Sequence, residues 1–262
     1  MDILQAFILG AIQGLTEFLP VSSSGHMSLA EIWLGIQLDP TNLLTFEILI
    51  HLATALGLII FYMKEFFELI TRQPRQLLYF AIASVPVFVM GAIFAENIEI
   101  AKGRAIIIGI CFIGTAIFLI GGEVFQVKKD DPREKLKLID AILIGLAQAV
   151  ALLPGVSRSG ATIGSGLICG INRQKAVDFA FMLGVPAILG ATIWRLINFV
   201  PSGSNLSFMA ILVGTFTAFG LTFIAIPLTI RIVRAGKLYI FAIYLLALGL
   251  AVIFYEYYTK IL

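Results

Sequence analysis

Charge is scarce in this chain. Of 262 residues only 18 are Lys or Arg and 16 are Asp or Glu, 13% together, against 60% hydrophobic residues. With so little charge and a mean hydropathy of +1.01, the chain is excluded from the ordinary soluble domains and is read as an integral membrane protein. Cysteine is equally sparse: Cys111 and Cys169 both lie in apolar helical stretches and are expected as free, buried thiols. The N-terminus carries Asp2 and has neither a basic n-region nor a small-residue cleavage site, so it reads as the first structural element and not as a removable signal peptide. No polar stretch is long enough for a separate soluble domain, and the net charge of +2 is accounted for by loop bias, giving no reason to invoke nucleic acid.

What is present in abundance is apolar sequence. Residues 43–62, 77–95, 105–122, 176–197, 208–229 and 238–257 each approach the ~20 residues a spanning helix needs, which predicts six crossings. Residues 3–19 and 138–153 do not fit that count. Each ends in Pro, Ser and Gly and is followed by a short second apolar piece, residues 26–36 and 160–171. A half-length helix, a polar turn and a half-length return describe a re-entrant hairpin, tolerated at membrane depth only where protein or a water-filled cavity satisfies its backbone. The hairpins are expected over 3–36 and 138–171.

The chain also repeats itself. Gln13, Ser22, Ser24 and Gly25 recur as Gln148, Ser157, Ser159 and Gly160, at a constant offset of 135 residues. The loops near 63–76, 123–137, 171–175 and 230–237 hold thirteen Lys and Arg, whereas the opposite side holds Lys102, Arg104, Arg195 and Lys260. By the positive-inside rule the first side is cytoplasmic, and both chain ends and the loop around 96–104 lie outside. Three spans per repeat then force opposite orientations on the two copies. The expected architecture is an all-α polytopic membrane protein with six transmembrane helices and two re-entrant hairpins in an inverted-topology repeat: residues 1–125, a cytoplasmic linker 126–137, and residues 138–262. In such a repeat two hairpin tips meet near the midplane and their half-helix N-termini aim at one spot suited to anions. The correspondence holds at the hairpins and fades afterwards, since the Val-Pro pairs at 85–86 and 185–186 do not keep the 135-residue register.

The residues gathered at the two breaks carry chemistry. Gln13 and Glu17 are four apart on one helical face, in a run too apolar to face water. A carboxylate there needs a partner, either in a functional site or in a helix-to-helix hydrogen bond. Ser22, Ser23, Ser24, Gly25 and His26 combine three hydroxyls, a sharply bending backbone and an imidazole, the equipment for attack on a phosphate ester. A serine N-cap explains one of those hydroxyls but not the triplet with His26. In the second turn the position matching Ser23 is Arg158, between Ser157 and Ser159 and before Gly160 and Thr162. Its planar fork matches phosphate oxygens bidentately, and it can also pair with Glu17.

These residues resemble the undecaprenyl-diphosphate phosphatases, also called bacitracin-resistance proteins. The family's acidic motif is seen here as Gln13 and Glu17, its Pro-x-Ser-Ser-x-Gly-His turn as residues 20–26, and its second mark, Pro-Gly-x-Ser-Arg-Ser-Gly-x-Thr, as residues 154–162. Position 13 is Gln where a more acidic member has Glu. The resemblance covers essentially the whole chain and implies hydrolysis of undecaprenyl diphosphate to undecaprenyl phosphate and inorganic phosphate. That reaction recycles the lipid carrier for cell-wall precursors at the outer face of the bacterial inner membrane, and bacitracin acts on its substrate. By the family's pattern Glu17, Ser22 or Ser23, His26, Arg158 and Thr162 form an outward-opening active centre. Ser24, Gly25, Ser157, Ser159 and Gly160 join Arg158 and Thr162 in phosphate binding, and a divalent cation, Mg or Ca, is implied with Glu17 as a metal ligand. Oligomeric state is left open by the resemblance.

Glu47 and His51 form a second polar pair on the first full span. Glu47 is read either as a cation ligand or lining of the substrate path, or as one end of an interhelical hydrogen bond. Glu123 and Asp178 sit at cytoplasmic helix ends, where exposed or snorkelling charges are expected. A secondary transporter or flippase for the lipid phosphate fits the same inverted repeat. The histidine and hydroxyl cluster favours the enzyme, because binding alone needs neither a nucleophile nor a proton carrier. Type-2 lipid phosphate phosphatases need a histidine after their Ser-Arg motif, and here the only histidines, His26 and His51, both precede Arg158.

Overall fold

A computed structural model of the protein describes residues 1–36, 40–127, 132–198 and 206–259. Lys128, Lys129 and Lys260, three of the basic residues behind the expected orientation, lie outside the described residues, as does part of the expected linker. Among the described residues the chain forms helices α1 (Ile3–Thr16), α2 (Ser23–Trp33), α3 (Pro40–Phe61), α4 (Met63–Arg72), α5 (Pro74–Lys102), α6 (Ala105–Val127), α7 (Leu138–Val150), α8 (Arg158–Ile168), α9 (Arg173–Asn198), α10 (Phe208–Arg234) and α11 (Tyr239–Thr259). Six of them, α3, α5, α6, α9, α10 and α11, are long and apolar enough to cross a membrane. The pairs α1–α2 and α7–α8 are the two half-length hairpins, and the protein is an all-α polytopic membrane protein.

Capping side chains set where several helices begin. Asp2 accepts from the Gln5 N–H (2.7 Å) while the Gln5 side chain accepts from the Asp2 N–H (3.1 Å), a reciprocal box that starts α1. Ser22 and Ser157 cap α2 and α8, and Pro74 opens α5, where its missing N–H is not needed.

Two expectations are corrected at the helix ends. The loop expected at 63–76 is largely the amphipathic helix α4, which packs Phe66 and Leu69 on the core and carries Lys64, Glu65 and Glu68 elsewhere on its surface. A search for long apolar runs misses it because charged residues interrupt its apolar ones every few positions, as in a helix lying in the interface. The outer loop expected at 96–104 is helical to Lys102, with a kink at Phe94 (φ −110°, ψ 17°). Hydropathy follows only the hydrocarbon-spanning part, whereas a helix continues while its backbone ladder does.

Equivalent helices of the two halves run against each other in opposite directions. On α3 and α9, Arg195 donates to Glu47 at one end (2.7 Å), and Tyr62, just past α3, donates to Asp178 at the other (3.0 Å). On α6 and α11, Gly109 faces Ile253 and Gly249 faces Ile113. Each hairpin's first helix instead packs along a span of the other half, α1 on α10 and α7 on α5. These contacts are made through small residues, Gly10 against Gly214, Gly14 against Ala218 and Gly145 against Ala83. Close backbone approach is what holds helices together in lipid, where apolar burial gives little drive. This exchanged, antiparallel pairing is the inverted-repeat arrangement, and it brings both hairpin tips to the middle of the bundle.

Candidate active site

The first tip is bent by its own backbone bonds. Glu17 closes α1, its N–H donating to the Gln13 carbonyl (3.0 Å), and the chain reverses through residues 18–22. Ser22 then takes φ 70° and ψ 95°, the one positive φ at a non-glycine among the described residues. Its Oγ accepts from the Gly25 N–H (3.3 Å), and its carbonyl accepts from both the His26 N–H (3.2 Å) and His26 Nδ1 (2.8 Å). Gly25 has no room for a side chain, wedged between the Phe112 ring and Gly155 of the opposite tip.

The second tip is held from α6. Thr115 Oγ1 donates to the Gly155 carbonyl and accepts from the Ser157 N–H, each at 3.2 Å. Ser157 Oγ accepts from the Gly160 N–H (3.0 Å) and starts α8 at Arg158. Ser159 Oγ donates across the interface to the Leu19 carbonyl (3.0 Å), tying the tips together.

Between the tips a buried carboxylate collects three donors. Glu17 forms an ion pair through Oε1 with Arg158 Nη2. Its Oε2 accepts from Ser23 Oγ (2.6 Å) and from Gln13 Nε2 (2.9 Å). The partners satisfy a charge that would be costly to bury alone. Around the pair lies a cavity of about 40 Å³, lined by Thr16, Glu17, Ser22, Ser23 and Ser24 from the first hairpin and Ala151, Val156, Ser157 and Arg158 from the second. That is room for only a few waters. The N-termini of α2 and α8 both open on it, so two sets of helix-end N–H dipoles favour an anion there.

The structure therefore brings together Gln13, Glu17, Ser22, Ser23, Ser24, Ser157 and Arg158. It does not bring in every expected residue. Nε2 of His26 points away from the hydroxyls and meets Tyr244 Oη of α11 at 2.7 Å, so this imidazole is not set to take a proton from Ser23. Thr162 Oγ1 is spent on the Arg158 and Ser159 carbonyls (2.9 and 3.2 Å). The Gly25 and Gly160 amides are occupied by Ser22 and Ser157. Glu47 lies outside the cavity, paired with Lys102 (3.4 Å) and Arg195 (2.7 Å), and His51 Nδ1 bonds the Glu47 carbonyl (2.7 Å).

Glu123 and Asp178, expected as exposed or snorkelling charges, are half-buried and paired. Glu123 pairs with Arg173 of α9, and Asp178 accepts from Tyr62 and Gln174. Neighbours distant in sequence supply those partners. Cys111 and Cys169 form no disulfide and are half-buried instead of buried. Thr16, Thr115, Gly184 and Tyr244 bear on the site and escaped the sequence analysis, because each is an ordinary residue inside an apolar helix.

The donor set suits a hard cation. No three His, Cys, Asp or Glu side chains are grouped as a metal cage among the described residues. Glu17 and the buried Oε1 of Gln13, which has no hydrogen-bond partner, nevertheless offer two oxygens from one helix face. Mg²⁺ is commonly bound by one or two carboxylates with substrate phosphates completing its shell, so these residues fit the divalent cation that the resemblance implies.

The family described as "Bacitracin resistance protein BacA" matches residues 6–251. The chain is 39% identical over 257 residues to an undecaprenyl-diphosphatase of Carboxydothermus hydrogenoformans, covering 97% of both chains. It is 36% identical over 266 residues to that of Christiangramia forsetii, covering 98% of this chain and 99% of the relative. It is also 36% identical over 270 residues to that of Korarchaeum cryptofilum, covering 97% and 99%. With a full-length match and both hairpin motifs meeting at one cavity, this chain belongs to the bacitracin resistance protein BacA family.

Proposed function

We propose that the protein is an integral membrane phosphatase that hydrolyses undecaprenyl diphosphate to undecaprenyl phosphate and inorganic phosphate. The activity returns the lipid carrier to cell-wall synthesis and, by consuming the lipid that bacitracin acts on, confers resistance to it. The observation that carries this reading is the bridge made by Glu17, one oxygen on Arg158 and the other on the Ser23 hydroxyl. A binding site alone has no use for a hydroxyl held by a base.

The mechanism follows from exchanging partners. A diphosphate is larger than the cavity of about 40 Å³, so its oxygens replace Glu17 on Arg158, whose fork and the N-termini of α2 and α8 neutralise the charge. Glu17, released from its ion pair, accepts the Ser23 proton as Ser23 Oγ attacks the terminal phosphorus. The Oγ–P bond forms and the P–O bond to the bridging oxygen breaks, with undecaprenyl phosphate leaving. Water then hydrolyses the phosphoserine, giving inorganic phosphate, and Glu17 returns the proton to Ser23. Ser22 is less suited to attack because its Oγ already caps α2. Were a divalent cation bound, Gln13 Oε1 and the Glu17 oxygen not engaged by Ser23 would hold it with the substrate, and it would supply further charge neutralisation on the diphosphate.

The chain is divided into repeats over 1–125 and 138–262, joined by a cytoplasmic linker, with the termini and the active site facing the periplasm. The prenyl chain leaves between α2 and α11. A groove of about 590 Å³ lies there, lined by Ile32, Trp33, Ala251, Val252 and Tyr255. The return helices of the two hairpins support that choice: nine of the eleven residues of α8 are buried against five of eleven in α2, so α2 is the more open of the two.

Phosphate release by the purified protein in detergent, with Mg²⁺ or Ca²⁺, tests the reading. Release from undecaprenyl diphosphate is expected. Binding of the lipid with no release under any divalent-cation condition would instead support the polyprenyl-phosphate carrier.

A further inference from the structure

Ser22 is strained and its repeat counterpart is not. Ser157, 135 residues further on, caps α8 with φ −76° and ψ 119°, an ordinary extended conformation, whereas Ser22 does the same job at φ 70°. A serine held there costs energy and persists only where its surroundings over-determine it. The restraint lies on its carbonyl, which accepts from the His26 backbone N–H and from the His26 ring. A carbonyl can only accept, so Nδ1 carries a proton, and in the neutral ring Nε2 accepts from the Tyr244 hydroxyl at 2.7 Å. The two rings lie 5.7 Å apart, 13° from parallel. In the second hairpin the position 135 residues from His26 is Ala161. No ring stands there, and that turn is relaxed.

We infer that Tyr244 is a positioning residue for hydrolysis: through His26 it holds the Ser22 carbonyl, and so keeps the strained turn that sets Ser23 against Glu17. The chain of contacts runs from Tyr244 Oη to His26 Nε2, from His26 Nδ1 to the Ser22 carbonyl, and from the adjacent Ser23 hydroxyl to the carboxylate. The inference rests on the proposed reading of Ser23 as the attacking group. Tyr244 is 47% exposed, so removing its hydroxyl leaves the packed core untouched.

Two readouts separate this idea from the phosphatase reading. ¹⁵N spectra of the two imidazoles, His26 and His51, assigned with His51→Gln, should show His26 protonated at Nδ1 with a hydrogen-bonded Nε2 that becomes unbonded in Tyr244→Phe. A wild-type His26 protonated at Nε2 alone overturns the proposal whether or not the protein hydrolyses anything. In phosphate release, Tyr244→Phe should lower kcat about tenfold, the scale of one hydrogen bond, with KM within about twofold. Glycine tolerates a positive φ, so in a Ser22→Gly background the clamp is not needed and the Tyr244→Phe loss should shrink to about twofold or less. An equal loss in both backgrounds, an effect on KM alone, or full kcat in Tyr244→Phe would each overturn it.

Discussion

The guanidinium of Arg158 lies where a side chain of residue 184 would be. Gly184 faces it from α9 so closely that a Cβ at that position would overlap Nη1. The direction in which Arg158 reaches Glu17 is therefore set by a third helix as well as by the two hairpins that supply the pair. Gly184→Ala should push the guanidinium aside and lower phosphate release by at least about tenfold, since small misplacements of a charge-stabilising group are costly. Assay together with a thermal melt tests this, and full activity in the folded variant would show that Arg158 has another route to the site.

Arg158 is expected to act through geometry as well as charge. Its fork reaches the carboxylate with one terminal nitrogen and would engage two phosphate oxygens, which an ammonium cannot imitate. Arg158→Lys and Arg158→Ala should both lose on the order of 100-fold or more in kcat/KM, ~3 kcal/mol. A lysine variant with near-normal hydrolysis would reduce Arg158 to a generic counter-ion.

The three serines should separate by position. Ser23 donates to Glu17 at 2.6 Å, whereas Ser24 Oγ reaches only Ser22 Oγ, at 3.4 Å. Ser23→Ala and Glu17→Gln should each cost on the order of 1,000-fold or more, and Ser24→Ala far less. His26→Ala should be severe yet milder than Ser23→Ala, because its ring holds the turn and does not face the attacking hydroxyl. Equal loss from His26→Ala and Ser23→Ala in single-turnover assays would argue that the imidazole itself moves the proton.

Orientation is open to labelling. In a background with Cys111 and Cys169 replaced by alanine, Arg104→Cys should react with an impermeant thiol reagent in intact cells and Lys135→Cys should not, both positions being exposed. The reverse pattern inverts the topology and turns the cavity to the cytoplasm.

The groove between α2 and α11 makes a chain-length prediction. Ala251→Trp, which fills it from the exposed face of α11, should lower kcat/KM for undecaprenyl diphosphate about tenfold more than for farnesyl diphosphate. Leu250→Trp, 60% exposed on the same helix but not lining the groove, serves as the matched control. No difference between the two lipids in Ala251→Trp would place the prenyl chain elsewhere.

Much of the architecture was legible in one dimension. Six apolar runs, two interrupted half-runs and the 135-residue offset from Gln13 to Gln148 are local properties of the chain, and a bilayer admits few folds that satisfy the backbone of such segments. The candidate site was legible for the same reason: Glu17, the serine triplet and Arg158, which meet at one cavity, are polar groups where polar groups are expensive. Helix ends were legible only while hydropathy tracked them, which is why α4 and the outer turn of α5 were missed.

Side-chain direction was decided by the tertiary structure alone. Glu17 and Arg158 are 141 residues apart, and the sequence allowed both a phosphate clamp and an ion pair without showing that Ser23 and Arg158 share one carboxylate. His26 looks like a proton carrier for its serines until Tyr244, 218 residues away, takes its free nitrogen. Thr162 looks like a phosphate ligand until its helix offers it two carbonyls, and Gly184 shows its use only when Arg158 is laid against it. Hydrophobicity and chain breaks are summed along a segment and survive without a partner. The direction of a single hydroxyl, ring nitrogen or guanidinium depends on how far each helix is rotated and on which distant helix packs beside it, and that is determined only when the two inverted halves close on each other.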